Sequence, residues 1–365
     1  MPDITAIERA DVEIDAVALE RAFALAISGE PALPRDMRAW LTTTLADEPW
    51  PQIMGDVIER GAPSGVVLVG GREIASWGDA DRVEMCFSLA KSALSTVAGI
   101  AWADGLLTDL DAPFLDAVPQ LEPLVRSGTG NDPYAARAIT WRHLLTQSSD
   151  WRGELFGVPW WADPQGRQRP DAPVLGPGAR FSYNDIRTNL CSLALTHLLG
   201  ESVEQVFRTR VFDPIGVGSD WSWRGLRQMR DTLPGGREVP VVTGGSHWGG
   251  GWWCSARDLA RYGLLHLRDG DWEGTRVLPA EWCRLQREPS ALRPAYGLMW
   301  WLNELDEYPG AGLRGFAAHG TGEQLVWCDP ERDLVAVIRW AREPLPILAA
   351  LTEAVPAIPQ ESDPT

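Results

Sequence analysis

From Met85 to Ala103 the chain carries one charged side chain, Lys91. Leu89, Ala90, Leu94, Val97, Ala98 and Ile100 recur so densely that a helix from about Ser88 to Asp104 would be apolar on almost every face. Such a helix is stable only when other elements enclose it. With 365 residues the chain can do this as one large domain or as two interleaved subdomains. A charge inside that helix is expensive. The chain's 33 lysine and arginine residues include no other lysine, so the position of this one carries information.

Around the helix the patterns alternate between strand and helix. Helical spacing runs from about Ile14 to Ile27, and Val66 to Val69 reads as a strand. Gly70-Gly71 supplies a tight turn, and Glu73 to Gly78 a returning strand. Helical patterns at Trp141 to Leu145 and Leu190 to Leu199 flank a loop rich in Pro, Gly and Trp from Asp150 to Pro177. Further on come a helix near Ala256 to Leu267, strands at Gln324 to Cys328 and Leu334 to Arg339, and a closing helix near Leu345 to Ala354. The expected organisation is an N-terminal helical extension over residues 1–50 and an α/β subdomain built from 51–110 and 215–365. A helical subdomain over 111–214 is inserted, with the active site between the two.

Charge and cysteine content exclude several partners. A net charge of −17 repels phosphate backbones and anionic lipid, so nucleic acid and membrane are not expected partners. The five cysteines are odd in number, widely spaced and set in apolar segments, which suits reduced buried thiols rather than disulfides or metal ligands. The first residues, Met-Pro-Asp-Ile-Thr, lack the basic and apolar regions of a secretory leader, so a cytoplasmic location is expected. Nothing in the sequence indicates an oligomeric state.

Ser88 and Lys91 stand three apart, on one face of the predicted helix, where the amine can reach the hydroxyl. A serine hydroxyl is a weak nucleophile until its proton is taken. Lysine can take it if burial lowers its pKa towards neutrality, whereas arginine stays protonated. Further along, Phe181-Ser182-Tyr183-Asn184-Asp185 places Tyr183 on a loop between helices. Its hydroxyl could relay protons, or its ring could simply pack, and the Asn-Asp pair could serve as a helix N-cap. In Ala318-His319-Gly320-Thr321-Gly322 small residues allow a backbone N–H to approach an acyl oxygen.

Taken in order, Ser-x-x-Lys, a Tyr-x-Asn-like element and a Gly-Thr-Gly-like strand edge resemble the serine β-lactamase and penicillin-binding protein family. Ile139 to Ser149 and Gly251 to Gly263 resemble segments of its class C and esterase branch, so the likeness spans about residues 60–340. The resemblance implies an antiparallel sheet flanked by helices and an acyl-enzyme on Ser88. It also implies general acid/base duty shared by Lys91 and Tyr183, an oxyanion hole from the N–H groups of Ser88 and Thr321, and no cofactor or metal.

Two departures bear on the substrate. Asp185 replaces the asparagine of Tyr-x-Asn, and around His319 and Gly320 the lysine of Lys-Thr-Gly is missing. That lysine helps receive a substrate carboxylate, so a small neutral or cationic ester or amide is expected rather than a β-lactam. Trp151, Trp160, Trp161, Trp248, Trp252 and Trp253 fall in loops that resemble the borders of the family's cleft and could wall an acyl group, with His247 as a further contact. A biosynthetic acyltransferase with an alcohol or amine acceptor, and a silent ligand-binding homologue, are the alternative readings.

Overall fold

The computed structural model describes residues 14–166 and 171–359. The extreme N-terminal segment and part of the 150–177 loop therefore lie outside the described residues. The long apolar runs become strands because both faces of one sheet are covered. Strands β1 (Ser64–Val69) and β2 (Arg72–Trp77) form the expected hairpin, with Gly70 and Gly71 at positive φ in its turn. They join β6 (Trp301–Leu302), β7 (Phe316–Gly320), β8 (Gln324–Asp329) and β9 (Leu334–Arg339) in an antiparallel sheet of order β6-β7-β8-β9-β1-β2. Pairing of Val66 with Val337 and of Val67 with Ala336 fixes the register of β1 on β9.

Alternation along the strands divides the core in two. Val67, Val69, Leu325, Ala336 and Ile338 point to one face, where α1 (Ala16–Ile27) and α5 (Pro344–Ala354) pack. Val66, Leu68, Val326, Val335 and Val337 point to the other. There they meet α4 (Ala256–Leu267) and the central helix α2 (Leu89–Ala103). Every residue of α2 from Leu89 to Ala101 is buried, as its composition required.

A smaller sheet of order β3-β5-β4 pairs β3 (Glu84–Met85) and β4 (Ser222–Arg224) with β5 (Gly251–Cys254). Most of the helices between residues 114 and 207 are short, but α3 (Asp185–Leu199) is long and lies against α2. The protein is thus an α/β molecule of antiparallel sheets flanked by helices, the architecture that the sequence resemblance implied. All five cysteines are free and buried. Among the described residues no helix is long and apolar enough to cross a membrane.

Some boundaries differ from expectation, each for a local reason. Helix α1 starts at Ala16 because the Asp15 carboxylate accepts from Val17 N and Ala18 N. Helix α3 begins five residues before Leu190, since Asn184 caps it and its polar first turn hides the periodicity. His319 and Gly320 belong to strand β7 and pair with Leu325 and Gln324, so the strand edge expected there begins before Gln324.

Candidate active site

Ser88 sits where β3 hands the chain to α2. Cys86 N donates to Trp252 O at 2.7 Å, which anchors the approach to β5. Phe87 then takes φ 50°, a conformation costly for a bulky residue. Its ring is held between Trp40 and Trp340, with centroids 6.3 and 6.4 Å away. This turn delivers Ser88 to the N-cap of α2, partly exposed, and among the described residues its N–H has no hydrogen-bond acceptor. One helical turn on, Lys91 is 1% exposed, and its Nζ donates to Ser88 Oγ at 3.0 Å.

Tyr183 and Asp185 reach the same point from α3. Gln147 clamps the intervening turn by accepting from Ser182 N at its carbonyl and from Asn184 N at its side chain, at 2.8 and 3.1 Å. Asn184 caps α3 by accepting from Arg187 N, and its Nδ2 donates to Trp160 O at 2.8 Å. The half-buried Tyr183 stands beside the pair, and Lys91 Nζ lies 4.4 Å from the centre of its ring. Burial pushes the Tyr183 hydroxyl up, against the opposing pull of the Lys91 charge.

Asp185 does not face a substrate. Its carboxylate accepts from Lys91 at 2.6 Å, and Gly244 O accepts from the same amine at 3.2 Å. Three N–H bonds to three oxygens describe an ammonium group. Burial pushes the Lys91 pKa down, but the charge and hydrogen bond of Asp185, with the charge of Asp163, outweigh it, and the net direction is upward. The expectation of an amine lowered towards neutrality is therefore corrected: the partner carboxylate, 94 residues away, wins over desolvation.

A second carboxylate stands behind the first. Asp163 accepts from Asp185 N and from Gln165 N, and burial followed by the Asp185 charge pushes it up to about 6. Gly245 presses so closely on Asp185 that a side chain there would overlap the carboxylate. Neither Asp163 nor the Gly244 carbonyl was foreseen. The Gly244-Gly245 pair was the one visible sign of a close approach.

The end of β7 completes the arrangement. A Cβ on Gly320 would lie 2.5 Å from Cys86 O and 2.6 Å from Leu89 Cδ1, so only glycine lets the strand edge come this close to the turn holding Ser88. Thr321 follows at the exposed corner, and His319 lines the adjoining cleft, kept neutral by burial that lowers its pKa.

Other candidates are placed elsewhere. Trp151 is wholly buried and donates from Nε1 to Val125 O, and Trp248 is 2% exposed with Nε1 on Trp50 O. Both pack the interior and cannot wall a substrate. His247 contacts Glu48, Nε2 to Oε2 at 2.8 Å. Trp160, Trp252 and Trp253 are likewise buried. No group of His, Cys, Asp and Glu among the described residues could hold a metal ion.

The chain is 28% identical to a 6-aminohexanoate-dimer hydrolase of Paenarthrobacter ureafaciens, over 74% of this chain and 70% of that protein. Its fold is similar to that of a family VIII carboxylesterase, with a TM-score of 0.59 and 15% identity, covering 94% of this chain and 100% of the other. A D-stereospecific amidohydrolase from Streptomyces superposes with a TM-score of 0.56 at 18% identity, covering 86% and 98%. The model of one family, described as Beta-lactamase, matches residues 51–354, and with that match over most of its length the chain belongs to the Beta-lactamase family.

Proposed function

We propose that the chain is a serine hydrolase that cleaves an amide or ester through an acyl-enzyme on Ser88. The observation that supports this most is the convergence on one hydroxyl: Ser88 Oγ lies 3.0 Å from Lys91 Nζ, and the Tyr183 ring packs 4.4 Å from that same amine. The names of the hydrolase, carboxylesterase and amidohydrolase relatives agree with amide or ester cleavage.

Charge bookkeeping assigns the proton path. At rest Lys91 is an ammonium and the Tyr183 hydroxyl is protonated, so the Asp185 carboxylate is the one member of the unit with room for a proton. As Ser88 Oγ bonds to the carbonyl carbon, Lys91 passes a proton to Asp185 and takes that of Ser88. The oxyanion so formed accepts from the N–H groups of Ser88 and Thr321. The proton on Asp185 returns through Lys91 and Tyr183 to the leaving group as the acyl-enzyme forms, and water then releases the acid.

Hydrolysis of short p-nitrophenyl esters tests this reading. Ser88→Ala should abolish turnover, and Lys91→Arg should lower kcat by about a thousandfold or more, because a guanidinium cannot exchange its proton. A folded Lys91→Arg protein with near-normal turnover would refute the relay.

A further inference from the structure

A cleft of about 640 Å³ opens beside the site, between the edge of the large sheet and the start of α5. Trp301 forms one wall, and its ring lies 6.0 Å from that of Tyr183, so the cleft continues from the nucleophile's own surroundings. Glu323 contributes from the corner after β7. It is two residues past Thr321, which places the two backbones within about 7 Å of each other. Glu307 and Glu343 stand at the rim.

Two polar groups here lack partners. Tyr308 lines the cleft and is 6% exposed, yet its hydroxyl has no hydrogen-bond partner among the described residues. Glu307 and Glu323 line the same cleft as that hydroxyl. Glu323 is half-buried and, among the described residues, makes no ion pair or side-chain hydrogen bond. A half-buried carboxylate and an unused hydroxyl thus line one cleft, both available to a ligand that carries hydrogen-bond donors.

The remaining charges leave that set free. Arg293 faces Glu307 at 3.4 Å. The Arg342 guanidinium lies against Gly29, and His319 is neutral. An alkylammonium supplies what is missing: N–H donors for the carboxylate and the tyrosine oxygen, and a positive charge for the aromatic faces of Trp301 and Tyr308.

We propose that this cleft is a subsite for a cationic group of the substrate, an alkylammonium received by the Glu323 carboxylate, the Tyr308 hydroxyl and the Trp301 ring. The proposal rests on the hydrolase reading for its link to turnover, but the binding it describes does not. The ammonium would be carried a few methylenes from the carbonyl attacked by Ser88.

Two measurements separate the subsite from the chemistry. In the first, p-nitrophenyl 6-aminohexanoate and p-nitrophenyl hexanoate are compared at constant ionic strength. The intact protein should favour the amino ester in kcat/KM by about tenfold or more, chiefly through KM. Glu323→Gln should remove most of that ratio, and Tyr308→Phe a smaller part. Equal turnover of the two esters, or a ratio untouched by Glu323→Gln, would overturn the subsite while leaving the hydrolase. In the second, hexylammonium and 1-hexanol are titrated calorimetrically into the Ser88→Ala protein. Glu323-dependent preference for hexylammonium supports the subsite even if neither ester is cleaved, an outcome that would count against the hydrolase alone. No preference overturns it.

Discussion

Lys91 Nζ and Asp185 Oδ1 lie 2.6 Å apart, with both side chains almost wholly buried. The pair joins the first turn of α2 to the first turn of α3 and sets the charge of the only lysine in the chain. In Asp185→Asn the largest attraction is gone and burial faces only the weaker pull of Asp163, so the Lys91 pKa drops. Its kcat should fall by about a hundredfold at neutral pH and recover partly as pH rises and frees the amine. The pKa is then depressed in the folded state, so the variant should also lose stability as pH is lowered from about 10 through the new value. A pH–rate profile with the shape of the parent's would contradict the relay.

Asp163 supplies a stability test with a definite sign. Its folded pKa is raised to about 6 from an ordinary 3.8. Its contribution is therefore fully present below pH 4 and lost as pH rises through 6, by up to about 3 kcal/mol. In Asp163→Asn that loss disappears. The unfolding free energy of the variant relative to the parent should climb between pH 4 and 7, as read from urea titrations at several pH values. A pH-independent difference would show that Asp163 does not titrate in this range.

Gly320 keeps the strand edge against the turn that carries Ser88. Gly320→Ala forces the carbonyl of Cys86 or the side chain of Leu89 to move, at a cost of about 1–3 kcal/mol. In the proposed mechanism the shift also moves the Thr321 N–H out of the oxyanion hole, so kcat should fall by about ten- to a hundredfold. Ester kinetics and thermal unfolding of the one variant check both effects.

Trp151 separates packing from recognition. Trp151→Ala opens a large cavity and leaves the Val125 carbonyl without its donor, so the protein should lose about 3–5 kcal/mol. The KM of the fraction that stays folded should not change. A raised KM with intact stability would return Trp151 to the substrate cleft.

The parts read correctly from the sequence are those set by short-range rules. Three-residue spacing on an apolar helix brings Ser88 and Lys91 together regardless of the remaining fold. The runs at Val66 and Leu334 are strands because a doubly covered sheet needs such residues on both faces. What the sequence could not reveal depends on contacts between distant segments. Asp185 was visible as a departure from Tyr-x-Asn, but its partner is fixed only when α3 docks on α2. Trp151 and Trp248 looked like cleft walls because tryptophan suits a buried core and an aromatic wall equally well. Tyr308, Glu323 and Glu343 belong to three separate elements that meet only after the sheet is assembled.

The proposed turnover requires a covalent bond to one oxygen, Ser88 Oγ. Incubation with a fluorophosphonate probe, followed by intact-mass measurement and peptide mapping, reads that bond directly. The protein should gain one adduct, on Ser88, with none in Ser88→Ala and much slower labelling in Lys91→Arg. Labelling at another residue, or an unmodified Ser88 in folded protein, would contradict it.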